Sequence, residues 1–212
     1  MRWLFAILLV LLPLCVGQNN AASCVHRVRS CDPSNDYFPS KVRFLYSTSV
    51  KSLTYTNTYA VLEQSWTAWS GSHQQTLILV RCGCPSPNLG ITGAKEIYVP
   101  ISSISVHETV AVPKVYLLGQ RSKLIAADSV SFATTEELLS DIDNGSTLDI
   151  QGNFTRLFPD HVPDVLLTGS GTFSAASQFS NFPILATRRV LDADAGETSP
   201  LGRAELIKQV GL

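Results

Sequence analysis

The sequence predicts an α/β fold: an N-terminal antiparallel β-hairpin region, then a mostly parallel sheet with flanking helices. Three observations carry that expectation. Val42, Phe44 and Tyr46, then Leu53, Tyr55, Tyr59 and Val61, recur at alternate positions, with threonines at 54, 56 and 58 opposite the second set, the period-two signature of half-solvated strands. After Pro87, short apolar runs alternate with helix-like stretches, as in parallel strands joined by right-handed crossovers. The chain has 212 residues, 45% hydrophobic and 16% charged, enough for one packed domain and unlike a disordered tail, a collagen-like chain or a coiled coil. A net charge of −1 and a pI near 6.4 lack the basic footprint of a nucleic-acid binder.

Residues 1–17 are expected to be a signal peptide. Arg2 is a minimal positive start, Trp3 to Val16 is an apolar run broken only by Pro13, and Cys15-Val16-Gly17 places small residues before a cut at Gln18. About 14 apolar residues are short for a bilayer span, which needs about 20. An uncleaved signal anchor and a lipoprotein modified at Cys15 are the rival readings. No later run is long enough to span a bilayer, so the expected location is secreted, or periplasmic in a bacterial host.

Once Cys15 leaves with the signal, Cys24, Cys31, Cys82 and Cys84 remain. An even count in an exported chain favours disulfides. A Cys82–Cys84 bond across Gly83 would be strained, so cross-pairing with Cys24 and Cys31 is favoured. Four thiolates would suffice for zinc, but these spacings do not match a zinc knuckle, and neither metal nor cofactor is expected. Asn144-Gly-Ser and Asn153-Phe-Thr are glycosylation acceptors in a eukaryotic host.

Residues 18–41 are a polar, disulfide-tied lead-in, and residues 42–198 form the α/β lobe. Val42, Phe44 and Tyr46 are expected on one strand. Leu53, Tyr55, Tyr59 and Val61 are expected on one face of a second, with the turn at Ser47 to Lys51. Thr76 to Val80 is a more buried third strand. Ile97 to Ile101 and Ile104 to His107 follow as strands, with a short helix around Val115 to Leu118 after Pro113. Leu124 to Ala127 is a buried strand ending at Asp128. Thr134 or Thr135 caps a helix through Ile142 that Asp143-Asn144-Gly145 ends. Asp164 to Thr168 is a buried strand closing on Gly169-Ser170-Gly171, Phe173 to Phe179 a helix, and Pro183 to Ala186 the next strand. From Ser199 as N-cap and Pro200 at the first position, a helix runs through residues 199–212. Its apolar arc is Leu206, Ile207 and Val210, with Ala204 at the edge. Arg203 falls inside that arc, either snorkelling over it or bound to an internal carboxylate.

Four stretches together resemble solute-binding proteins of ABC transporters, the type in which a long helix joins two lobes. They are Leu118-Gly119 followed by Lys123-Leu124 and a strand ending at Asp128-Ser129; Val162-Pro163-Asp164-Val165-Leu166-Leu167; Arg81-Cys82-Gly83 with Pro85, leading into Ile97; and Glu197 followed by Ser199-Pro200-Leu201-Gly202-Arg203-Ala204-Glu205. The resemblance implies a lobe that binds a metal chelate of the siderophore, haem or cobalamin type and docks on an ABC permease. It also implies that Ser199 starts a lobe-linking helix cut short at Leu212. Pro113 departs from the family's usually uninterrupted helix.

In an open α/β lobe, ligands gather at the carboxyl ends of the strands. The expected cleft wall is therefore His107, Glu108, Thr109, Asp128, Ser129, Gly169, Ser170 and Gly171, each of which is also explicable as a strand end, cap or turn. Glu197 and Glu205 are the permease-docking candidates that the resemblance implies, or else partners of Arg203. An exported enzyme is the rival class. However, Thr168-Gly169-Ser170-Gly171 does not match a nucleophile elbow, and there is no zinc-protease, phosphate-loop or dinucleotide motif, so no catalysis is expected. A secreted glycoprotein that kept the lobe without transport is the alternative.

Overall fold

The structure, a computed structural model, describes Cys24 and residues 30–128, 130–132, 135–170 and 181–212. The leader, Ser129, Thr134, Gly171 and the expected helix at 173–179 lie outside the described residues. The architecture is α/β, with one mixed and one parallel sheet, flanked by helices and enclosing a shared core.

The first sheet has the order β1(Val50–Tyr55), β2(Tyr59–Ala68), β3(Gly71–Arg81), β4(Lys95–Val99), antiparallel except for the parallel β3–β4 pair. The Val42-to-Tyr46 strand expected from alternation does not form, and the hairpin turn falls at residues 56–58 rather than 47–51. Thr56 makes that turn by taking the Tyr59 carbonyl on both its N–H and its hydroxyl. The turn inverts the side-chain parity: Leu53 pairs with Leu62 and Tyr55 with Ala60. Ala60, Leu62, Gln64 and Trp66 therefore face inward, and Tyr59 and Val61 do not share a face with Leu53 and Tyr55. A one-residue shift in the turn moves a whole strand face.

The second sheet is fully parallel, in the order β7(Leu148–Asp149), β6(Leu124–Ala127), β5(Ile104–Val106), β8(Val165–Gly169), β9(Arg189–Asp192). Alternate residues of β8 serve two cores. Val165 and Leu167 face the first sheet with Val106 and Val190, while Leu166 meets Ile150, Phe154, Leu157 and Leu185 on the other face. Helix α1(Val112–Leu117) follows β5, with Pro113 in its first turn, where a missing N–H costs nothing. Helix α2(Glu136–Asp143) follows β6, with Thr135 at its N-cap position. Arg121 ties the two connections through a 2.6 Å ion pair with Asp141.

Pro183 to Ala186 is not a strand. It opens helix α3(Pro183–Arg188), and the strand is the next segment, β9. Proline fits a helix's first turn and has no N–H for a ladder, whereas Arg189–Asp192 alternates partly and fully buried residues. The C-terminal helix begins as expected, with the Ser199 hydroxyl accepting from the Gly202 N–H, but it is two short pieces, α4(Pro200–Glu205) and α5(Ile207–Gly211), joined at the buried Leu206.

Cys24 bonds to Cys82 and Cys31 to Cys84, the cross-pairing favoured from spacing. They hold Cys24 and Cys31 against the outer face of the first sheet, around Ile78, Val80 and Tyr98. Two disulfides suit an oxidising compartment. Among the described residues, no helix is long and apolar enough to cross a membrane.

Candidate functional site

The parallel sheet places the site. Its first three strands run outward from β5 in one direction, and then the chain crosses to β8 and β9 on the other side. The reversal falls between β5 and β8, and the crevice beyond the carboxyl ends of those two strands is where such sheets bind ligands. His107 and Glu108 leave β5 there, Gly169 and Ser170 leave β8, and Asp128 leaves β6.

Five of the expected wall residues come together in contacting pairs or at that junction. His107, 8% exposed, places Nδ1 2.5 Å from Asp128 Oδ2, with its ring tilted on Phe154 at 4.8 Å between centroids. Asp128 Oδ1 also accepts the Gly152 N–H at 2.7 Å. Glu108 lies over Gly169 so closely that a β-carbon at 169 would collide with its carboxyl group. Here the absent side chain has a use, because the wall closes only with glycine at that position. Ser170 is fully buried, and its hydroxyl has no hydrogen-bond partner among the described residues. Thr109 opens a single 3-10 turn, half-buried at the rim. Ser129 and Gly171 lie outside the described residues.

Burial, with the negative charge of Asp192 beside it, pushes the Glu108 carboxyl up to about 7, against the pull of Lys114. Lys114 from α1 is 2.6 Å from Asp192 and 3.6 Å from Asp194, both at the carboxyl end of β9. Sequence reasoning missed these three residues. The signal is present in the sequence, since Arg189–Asp192 ends on an aspartate as the run from Leu124 to Asp128 does, but the apolar pattern points to the segment before it.

The hairpin of the first sheet also reaches this edge. Register places Ala68 opposite Gly71, leaving Trp69 and Ser70 as a two-residue turn, with Gly71 at φ +114°. The Ser70 hydroxyl donates to the Ser170 carbonyl and also meets His73 Nε2 at 2.8 Å. Trp66 stacks on His73 and fills the space left by Gly196. Trp69 is 69% exposed beside this junction.

Chemically, this wall offers carboxylates, a carbonyl and an aromatic. It suits a ligand presenting hydroxyls, amines or a cationic face. For catalysis a serine must reach its base, and no contact joins Ser170 to His107 among the described residues.

The docking candidates are elsewhere and turned inward. Glu197 is wholly buried and accepts from Ser47 Oγ, from Thr48 N and Oγ1, from Ser49 N and Oγ, and from Ser199 N. Glu205 accepts from the N–H groups of Leu45, Tyr46 and Ser47 and pairs with Lys208 at 2.7 Å. Docking on a permease needs exposed charge, whereas both glutamates are buried and anchor the 45–49 loop. Burial would raise them, but the hydrogen bonds win and hold each at about 2. Arg203 is exposed and donates Nε to the Glu197 backbone carbonyl at 2.8 Å rather than to a carboxylate. Asn144 and Asn153 are both exposed. Asn144 accepts from Ser146 N, and Asn153 from Thr155 N and Oγ1. No family model, curated protein or solved structure matches the chain.

Proposed function

We propose that this chain is an extracytoplasmic solute-binding lobe, secreted or periplasmic, that holds a metal chelate of the siderophore, haem or cobalamin type for ABC-type uptake. The observation that carries the reading is the seating of Glu108 on Gly169 at the strand-order reversal of a parallel sheet, with the buried His107–Asp128 pair beside it. The four resembling stretches supply the ligand class and the permease partner. The polar wall supports binding through hydrogen bonds from a hydroxylated or cationic ligand face.

The experiment is a ligand panel. Purified chain is mixed with ferric catecholate and hydroxamate siderophores, haem and cobalamin, and followed by tryptophan fluorescence and thermal melting. Trp66 and Trp69 both belong to the hairpin that leans on the site, so quenching reports on that edge. One chelate should quench and stabilise without being consumed; silence across the panel overturns the reading. The second reading, a secreted glycoprotein that kept the lobe without transport, draws on the exposure of Asn144 and Asn153. Glycan at both positions together with a silent panel would establish it.

A further inference from the structure

We propose that the chain carries a second binding site, an aliphatic cavity in its main core that takes the hydrocarbon tail of a single-chain carboxylate, with Lys123 receiving the head group. The cavity measures about 350 Å³. It is lined by Leu79 and Val99 of the first sheet, Leu167 and Val190 of the second, Val115 of α1 and Val210 of α5. The space is partly open to solvent, and covering its apolar walls with a hydrocarbon chain removes that surface from water. The cavity falls in the volume range of small-molecule sites.

The lining defines the guest. It contains no aromatic side chain, which suits a flexible aliphatic chain rather than a flat ring. At about 350 Å³ the space suits one aliphatic chain rather than a larger ligand. The polar side chains in its lining are Gln120, Lys123 and Gln209. Gln209 is committed to Gln64 and the Leu191 carbonyl, and Gln120 to the Leu118 carbonyl. Lys123, partly buried as a residue, has no acidic partner among the described residues. A carboxylate on the guest completes it with a charge-assisted bond. Ile104 and Val165, which also line the space, begin β5 and β8, and Lys123 directly precedes β6. The cavity thus reaches the amino ends of the parallel strands, opposite the candidate chelate site.

Dodecanoate, 1-dodecanol and dodecylamine, each below its micelle concentration, are titrated into the chain by calorimetry. Dodecanoate should bind one to one and about tenfold tighter than the alcohol, with the amine weakest. K123Q should erase the preference for acid over alcohol while leaving alcohol binding intact. V190F and V115F, placed to fill the space, should abolish both, with unchanged or raised melting temperatures showing that they fold. G169A should leave dodecanoate binding intact, which separates this site from the chelate edge. Absence of dodecanoate binding, equal affinity in K123Q, or undiminished binding in a folded V190F overturns the proposal. So does self-association that V190F abolishes, because a second copy would then be the occupant.

Discussion

The Gln75 carboxamide pairs with both backbone groups of Leu191: Nε2 donates to the Leu191 carbonyl at 2.7 Å, and the Leu191 N–H donates to Oε1 at 2.9 Å. A side chain of β3 thus acts as one residue of an extra strand along the open edge of β9. Gln64 bonds to the same amide and to Gln209 of α5, whose Nε2 returns to the Leu191 carbonyl. Three glutamines join the two sheets and the C-terminal helix. Replacing Gln75 with alanine leaves the Leu191 N–H buried without its acceptor. Each buried group so orphaned costs about 1–3 kcal/mol, so Q75A should lose about 3 kcal/mol in urea unfolding. A loss under 1 kcal/mol would show that water replaces the amide.

Gly169 and Glu108 predict a coupled pair. An added methyl at 169 meets the Glu108 carboxyl, and overpacking of this kind costs about 1–3 kcal/mol. G169A should be destabilised by that amount and, under the proposed function, lose any response to the ligand panel, while in G169A/E108A the stability should largely return. A double-mutant cycle measures the coupling. Strict additivity would mean that the two side chains do not share the space.

Stability should depend on the Glu108 charge near neutral pH. Its folded value is raised from the usual 4.5 to about 7, so the folded chain binds the proton more tightly than the unfolded one. The stabilisation is complete below pH 4.5 and is lost as pH rises through about 7. E108Q removes this loss. Thermal melts should show E108Q gaining about 2 kcal/mol over the parent at pH 8.5, discounted for partial exposure, and nothing at pH 4.5. An equal gain at both pH values would assign the effect to packing.

Glu197 and Glu205 act at the acid end with the opposite sign. Both are lowered from 4.5 to about 2. Their contribution is complete above pH 4.5 and is lost as pH falls through that value towards 2, where the unfolded chain takes up protons that the folded chain refuses. The effect is on the order of 3 kcal/mol for each. Acid titration of the parent followed by circular dichroism should show unfolding in that window, with the 45–49 loop among the first amides to exchange. E197Q and E205Q should be destabilised at pH 7 and lose most of this acid slope. An unchanged slope in both would move the acid sensitivity elsewhere.

By itself, the sequence determined the class of the fold, the compartment chemistry of its cysteines and the strand ends that gather at the carboxyl edge of the parallel sheet. Apolar runs such as Leu124–Ala127 and Val165–Thr168 are buried on both faces, so hydrophobicity alone marks them, and the residue that ends each run is automatically at the carboxyl edge. Tertiary structure decided the rest. Which face of β2 is inside depends on a turn set by Thr56. Among the described residues the strand at Arg189–Asp192 pairs with β8 alone, and Gln75 completes its outer edge from another sheet. Glu197 and Glu205 are indistinguishable from surface acids in sequence, because the N–H groups that bury them lie about 150 residues away, at 45–49. Local patterns record what a segment buries, and only the folded chain supplies the distant partner that makes a buried charge or amide tolerable.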